Sequence, residues 1–142
     1  MTISREARVA AGITLLAVPT IQYGGLTLLA LVTGGGAGVG GEGLVLDETQ
    51  RALWRAGHAH AGVWVILSLV MQLLLDGTDL SKGVRRLARL SAPASAVVIS
   101  AGFFGLAFLP AFRWMVYLGG ALLFIALGIT GAGLLINART RE

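Results

Sequence analysis

Four long apolar runs alternate with short polar stretches along the chain: Val9 to Val32, Trp54 to Leu75, Leu90 to Leu109 and Trp114 to Ile136. A helix rises about 1.5 Å per residue, so a run of about 20 apolar residues crosses a hydrocarbon core of roughly 30 Å. The pattern predicts an all-α fold: a single domain over residues 1–142, built as a four-transmembrane-helix bundle with helices at 9–32, 54–75, 90–109 and 114–136 and an outer loop at 33–53. The first run is too long for a secretory apolar region and has no A-x-A cleavage pattern, so it is expected to remain as an anchor. Pro19 predicts a kink within it, with Gln22 and Tyr23 placed to satisfy the freed backbone.

Small residues recur at four-residue spacing, as Ala92, Ala96 and Ser100 in the third run and Gly128 with Ala132 in the fourth. Helices in lipid associate through close backbone approach, so these positions predict packing faces and contact surface for further protomers. The glycine-rich stretch 34–43 has no Gly-Lys-Ser/Thr and follows a membrane helix instead of a strand, which rules against a phosphate loop and favours a flexible connection.

Composition turns a patterning argument into a membrane assignment. The chain is 56% hydrophobic and 13% charged, against about 25% charged residues in soluble domains, and its mean hydropathy is +0.81. The net charge of +4 does not imply nucleic acid, because the cations sit between and beside the apolar runs. Arg5, Arg8, Lys82, Arg85, Arg86, Arg89, Arg139 and Arg141 fall on one side, and Arg51, Arg55 and Arg113 on the other. The positive-inside rule then predicts cytoplasmic termini and an integral protein of the cell's inner membrane, with the lipid bilayer as its first partner. With no cysteine, disulfides, thiolate ligands and covalent c-type haem attachment are excluded.

The pointed chemical feature is the only pair of histidines, His58 and His60, within Trp54-Arg55-Ala56-Gly57-His58-Ala59-His60-Ala61-Gly62-Val63-Trp64 at the predicted start of the second helix. An ionisable side chain in a membrane segment is a functional candidate by default. Residues two apart on a helix point about 200° apart, so the two rings cannot grip one metal from a continuous helix. His60 shares its face with Ala56, Trp64, Leu67, Ser68 and Met71; His58 shares its own with Gly62, Val65, Leu69 and Gln72. Desolvation and a nearby helix N-terminus would both keep the rings neutral and free to ligate. Gly57, Ala59, Ala61 and Gly62 would leave room for a flat cofactor. Structural zinc needs about four ligands, and Glu42, Asp47 and Glu48 could add to the histidines only by folding back, whereas haem iron needs a single protein histidine. The candidate cofactor set is therefore His60 as the metal ligand, with His58, Arg55, Gly57, Ala61, Gly62 and Trp64 around it.

The four-helix size, and Ala59-His60-Ala61-Gly62 opening the second helix after a long outer loop, resemble the small membrane isomerases comprising styrene oxide isomerase and hydroxylaminobenzene mutase. The likeness covers most of the chain in architecture and a few residues in motif. It implies haem b held axially by His60, a trimeric homo-oligomer with haem near the subunit interfaces, and ferric iron acting as a Lewis acid on a small apolar substrate of epoxide or arylhydroxylamine type. This chain departs from the pattern at two places. The family's asparagine six residues beyond the ligand falls on Ile66, and its third-helix tyrosine on Phe104. Substrate orientation would then come from other residues, the candidates being Tyr23, Gln22, Ser100 and Tyr117.

Arg51, Arg55 and Arg113, beside Trp54 and Trp114, suit either haem propionates or an interfacial belt of arginine and aromatic side chains. Gln72, Asp76 and Asp79 are expected at a helix end or in a loop, and Asn137 at the end of the last helix. Two functions remain beside the isomerase: a b-type electron carrier with axial histidines from symmetry-related chains, and a non-catalytic accessory subunit or small transporter. A proton-coupled exporter is disfavoured, since the first helix has no carboxylate after Glu6.

Overall fold

The computed structural model describes residues 3–33 and 45–139 and holds no strand among them. Its elements are α1 (Arg5–Thr33), α2 (Glu48–Asp76), α3 (Lys82–Leu106), a single 3-10 turn (Pro110–Phe112) and α4 (Arg113–Arg139). All four long helices have the length and apolar character to cross a membrane. The glycine-rich stretch 34–43, with Glu42, and the terminal Arg141 lie outside the described residues.

Each helix begins before its apolar run, because polar residues that extend a helix add nothing to hydropathy. α2 starts at Glu48, inside the expected outer loop, where Asp47 closes a capping box: its carboxylate accepts the Gln50 N–H at 2.8 Å, and the Gln50 side chain accepts the Asp47 N–H at 3.0 Å. Gln50 also donates to the Ala107 carbonyl at 3.0 Å, tying this end of α2 to the end of α3, and Arg51 donates to the Leu46 carbonyl at 2.9 Å within the segment that leads into α2. α3 gains two polar turns from Lys82 onward but ends at Leu106, three residues before its apolar run does. Pro110 forces Leu109 into extended geometry (φ −133°, ψ 116°) and then opens the 3-10 turn that leads into α4.

The helices pack in sequence order: α3 lies between α2 and α4, α1 flanks α2, and α1 makes no close approach to α4 among the described residues. α3 takes the central place because small residues let its backbone be approached from two sides. Ala92, Ala96 and Ser100 are buried as expected, and Met71, Ala92 and Ala126 form the core contact. A Cβ on Gly102 would lie 2.8 Å from the Val116 nitrogen, and one on Gly119 would lie 2.8 Å from the Ile99 nitrogen, so α3 and α4 meet backbone to backbone. Gly128 and Ala132 do not belong to that face. Both are exposed, and the side of α4 turned inward carries Gly119, Ala126, Thr130, Gly133 and Asn137.

At the end where both termini lie, one polar network pins the helices together. Ser4 caps α1 by accepting the Ala7 N–H at 3.1 Å, while its own N–H and hydroxyl donate to the Asp76 carboxylate at 2.8 Å each. Arg89 donates to Asp76 at 2.7 Å and to the Gln72 side chain at 3.1 Å, and Gln72 returns a bond to the Arg89 carbonyl at 3.0 Å. Asn137 donates to the Gly77 carbonyl at 2.6 Å from within α4, two residues before that helix ends. Asp76 is the last residue of α2 and Asp79 lies in the connection, as expected, while Gln72 sits one turn inside the helix; Gln72 and Asp76 also serve as internal cross-links. Pro19 sits inside α1, but the side chains of Gln22 and Tyr23 make no hydrogen bond to the freed backbone; both point outward.

Candidate functional site

Because α2 begins at Glu48, the histidines are not at its start. His60 is twelve residues in, about 18 Å along the axis, and stands two residues short of the midpoint of this 29-residue helix. The influence of the helix N-terminus fades within a turn, so it does not act on either ring. What remains is an ionisable side chain near the middle of a membrane-crossing helix.

Helical geometry sends the two rings to different neighbours. His58 faces α1 and lies so close over Gly25 that a Cβ there would come within 2.9 Å of its ring. It fills the α1–α2 contact. His60 turns toward α3 and stacks in tilted fashion on Phe103, ring centroids 4.8 Å apart, with Trp64 at 5.8 Å along its own helix. Its Nδ1 is 2.7 Å from the Ala56 carbonyl. A carbonyl only accepts, so Nδ1 carries the proton, and Nε2 is the ring nitrogen not engaged by this contact. The contact runs back to the carbonyl four residues earlier on the same helix and holds the ring orientation from within α2.

The seam between α2 and α3 continues inward from His60 with polar groups left without partners. The Trp64 indole N–H, the Ser68 hydroxyl and the Ser100 hydroxyl are buried and make no hydrogen bond among the described residues. Trp64 and Ser68 follow His60 by one and two turns on one face of α2. Ser100 lies about one turn inward of Phe103 on α3. An unpaired buried donor costs about 1–3 kcal/mol, so a polar atom placed in the seam would be stabilised by these groups. Ser68 stood on the His60 face in the sequence, but only the structure shows its hydroxyl to be orphaned.

Of the four substrate-orienting candidates, Ser100 alone lies in this seam. Tyr23 and Gln22 are exposed on α1, and Tyr117 is exposed on α4, edge-on to Trp114 at 5.6 Å. Ile66 faces outward, while Phe104 packs edge-on against Trp54 at 5.5 Å. Gly57 is buried with Phe103 and Phe104 in the space a side chain would take, whereas Gly62 opens onto free space, Ala61 is half-buried, and Ala59 and Val63 are exposed on the flank next to His60. Arg55 is exposed one turn outward of Ala59; Arg113 lies over the Trp114 ring at 5.5 Å.

Among the described residues no three His, Cys, Asp or Glu converge, and Asp47 is committed to its cap. The chain matches no family model, no curated protein and no solved structure.

Proposed function

We propose that this is an integral protein of the inner membrane, with cytoplasmic termini, that binds haem b through His60 Nε2 and isomerises a small apolar substrate of epoxide or arylhydroxylamine type. The observation that carries the reading is the 2.7 Å contact of His60 Nδ1 with the Ala56 carbonyl, which leaves Nε2 as the free coordinating atom near mid-helix. Ferric haem supplies, when bound, a Lewis acid for a substrate oxygen.

The chain's own residues do the rest. The Ala56 carbonyl fixes the imidazole tautomer and raises its basicity, and Phe103 limits its rotation. Trp64, Ser68 and Ser100 offer hydrogen bonds to orient a polar atom in a seam from which the apolar helices exclude water. Arg55 is placed at the outer end to meet a propionate. One side of α2, with Ala59, Val63, Ile66 and Val70, is exposed, which suits the homo-oligomer, a trimer, that the family likeness implies.

The electron-carrier alternative requires two axial histidines. His58 is taken up against Gly25, so that reading draws on His60 from two chains. Cyanide binding combined with turnover separates the two. Haem-loaded protein is incubated with an epoxide and with an arylhydroxylamine, and the isomeric products are quantified. Isomer formation that cyanide blocks supports the proposal. Iron that takes cyanide without any isomer forming refutes the isomerase, and iron that refuses cyanide points to the carrier.

A further inference from the structure

At the end opposite to the α2 capping box, α1 and α3 enclose an open cleft of about 400 Å³. Its polar wall is made of Arg5, Arg86 and Arg89 with one carboxylate, Glu6, and its apolar wall of Val9, Ala10, Ile13 and Leu90. The two walls follow from the helical repeat: Glu6, Val9, Ala10 and Ile13 recur at three- and four-residue steps on one face of α1, and Arg86, Arg89 and Leu90 do so on α3. The cleft is thus polar toward the helix ends and apolar toward the middle of the membrane.

Arg89 gives this cleft its chemical character. Its side chain is only 4% exposed; its Nη atoms are occupied by Asp76 and Gln72, but its Nε–H is buried with no hydrogen-bond partner. Glu6 lies 3.9 Å from that nitrogen, and its side chain is 69% exposed, so water competes for it and it leaves the donor unsatisfied. An anion in the cleft would complete Arg89 and meet Arg5 and Arg86 beside it. A free anion would make no use of the apolar wall. Val9, Ile13 and Leu90 are more than half exposed in a segment that lies in lipid, so the cleft opens sideways to acyl chains. A basic pocket between membrane helices with an apolar floor is a site for an anionic lipid headgroup.

We infer that this cleft binds an anionic phospholipid of the leaflet next to the termini, its phosphate held by Arg5, Arg86 and the Arg89 Nε–H and an acyl chain lying along Val9, Ala10, Ile13 and Leu90. The charge balance is modest, because Asp76 already neutralises Arg89 and Glu6 opposes one of the other two, so the site discriminates by shape as well as charge. The inference does not depend on the haem reading, since the cleft lies between α1 and α3 and away from His60.

The test is native mass spectrometry of the purified protein titrated with phosphatidylglycerol, with phosphatidylcholine of the same acyl chains, and with glycerol phosphate, which carries the anion without the chains. Arg5→Gln and Arg86→Gln remove cations from exposed or half-exposed positions that leave the Arg89–Asp76 pair intact. Ala10→Trp fills the apolar wall and leaves every cation in place. The expected result is saturable binding of phosphatidylglycerol over phosphatidylcholine, weakened about fivefold by each arginine substitution and strongly by Ala10→Trp. Glycerol phosphate should bind far more weakly. Equal binding of the two phospholipids, phosphatidylglycerol binding indifferent to both arginine substitutions, or glycerol phosphate binding as well as the lipid would each overturn the inference.

Discussion

Replacing Asp76 with alanine strands a buried guanidinium. The two partners sit 2.7 Å apart with side chains 4% and 5% exposed at the end of the helices, so the pair is partly shielded from water and removal of one member leaves a poorly compensated charge, at a cost of about 2–3 kcal/mol, below that of a deeply buried pair. The loss extends to α1, because Ser4 gives up both of its acceptors on Asp76, adding on the order of 1 kcal/mol. Glu6 offers little relief, being 3.9 Å away and mostly in water. Exchanging both partners, Asp76→Ala with Arg89→Met, removes the stranded charge and retains an apolar stem in its place. The double variant should therefore be more stable than Asp76→Ala alone, with a coupling energy of about 2–3 kcal/mol. Reversible unfolding of the protein in mixed micelles by titration with dodecyl sulfate reads all four corners of the cycle. A coupling below about 0.5 kcal/mol, the limit at which independent sites add, would show that the network does not hold this end of the helices together.

Two further expectations concern packing and capping. Gly119→Val should destabilise the protein by about 1–3 kcal/mol, since its side chain would press on the Ile99 backbone, while Gly128→Val, which faces open space, should stay within about 0.5 kcal/mol in the same titration. Asp47→Ala should cost about 1 kcal/mol and speed amide exchange at Gln50 without touching protection in α3 and α4.

The four long helices were legible from hydropathy alone, because apolar runs of that length match helices long and apolar enough to cross a membrane. Their ends were not. Glu48 to Leu53 are helical behind the Asp47 capping box, and Lys82 to Arg89 without a side-chain cap, and a count of apolar residues registers neither. That error also misplaced the histidines at a helix start. The opposed bearings of His58 and His60 followed correctly from the helical repeat, but their neighbours depend on which helices flank α2, which periodicity does not specify. The inner network was missed for the same reason. Gln72, Asp76 and Arg89 read singly as polar punctuation at the edge of apolar runs, and only the antiparallel pairing of α2 with α3 brings them together. Gly128 and Ala132 show the reverse case, small residues with the right spacing on a face that packs against nothing among the described residues.

The central claim is that His60 Nε2 is a metal-coordinating atom, and the visible spectrum of the protein tests it most directly. The protein is purified in mild detergent after expression with ample haem, alongside His58→Ala, His60→Ala and His60→Gly. A Soret band in the wild type and in His58→Ala, absent from His60→Ala and restored to His60→Gly by added imidazole, is the predicted outcome. A wild-type spectrum without a Soret band, or one that survives in His60→Ala, would contradict the account.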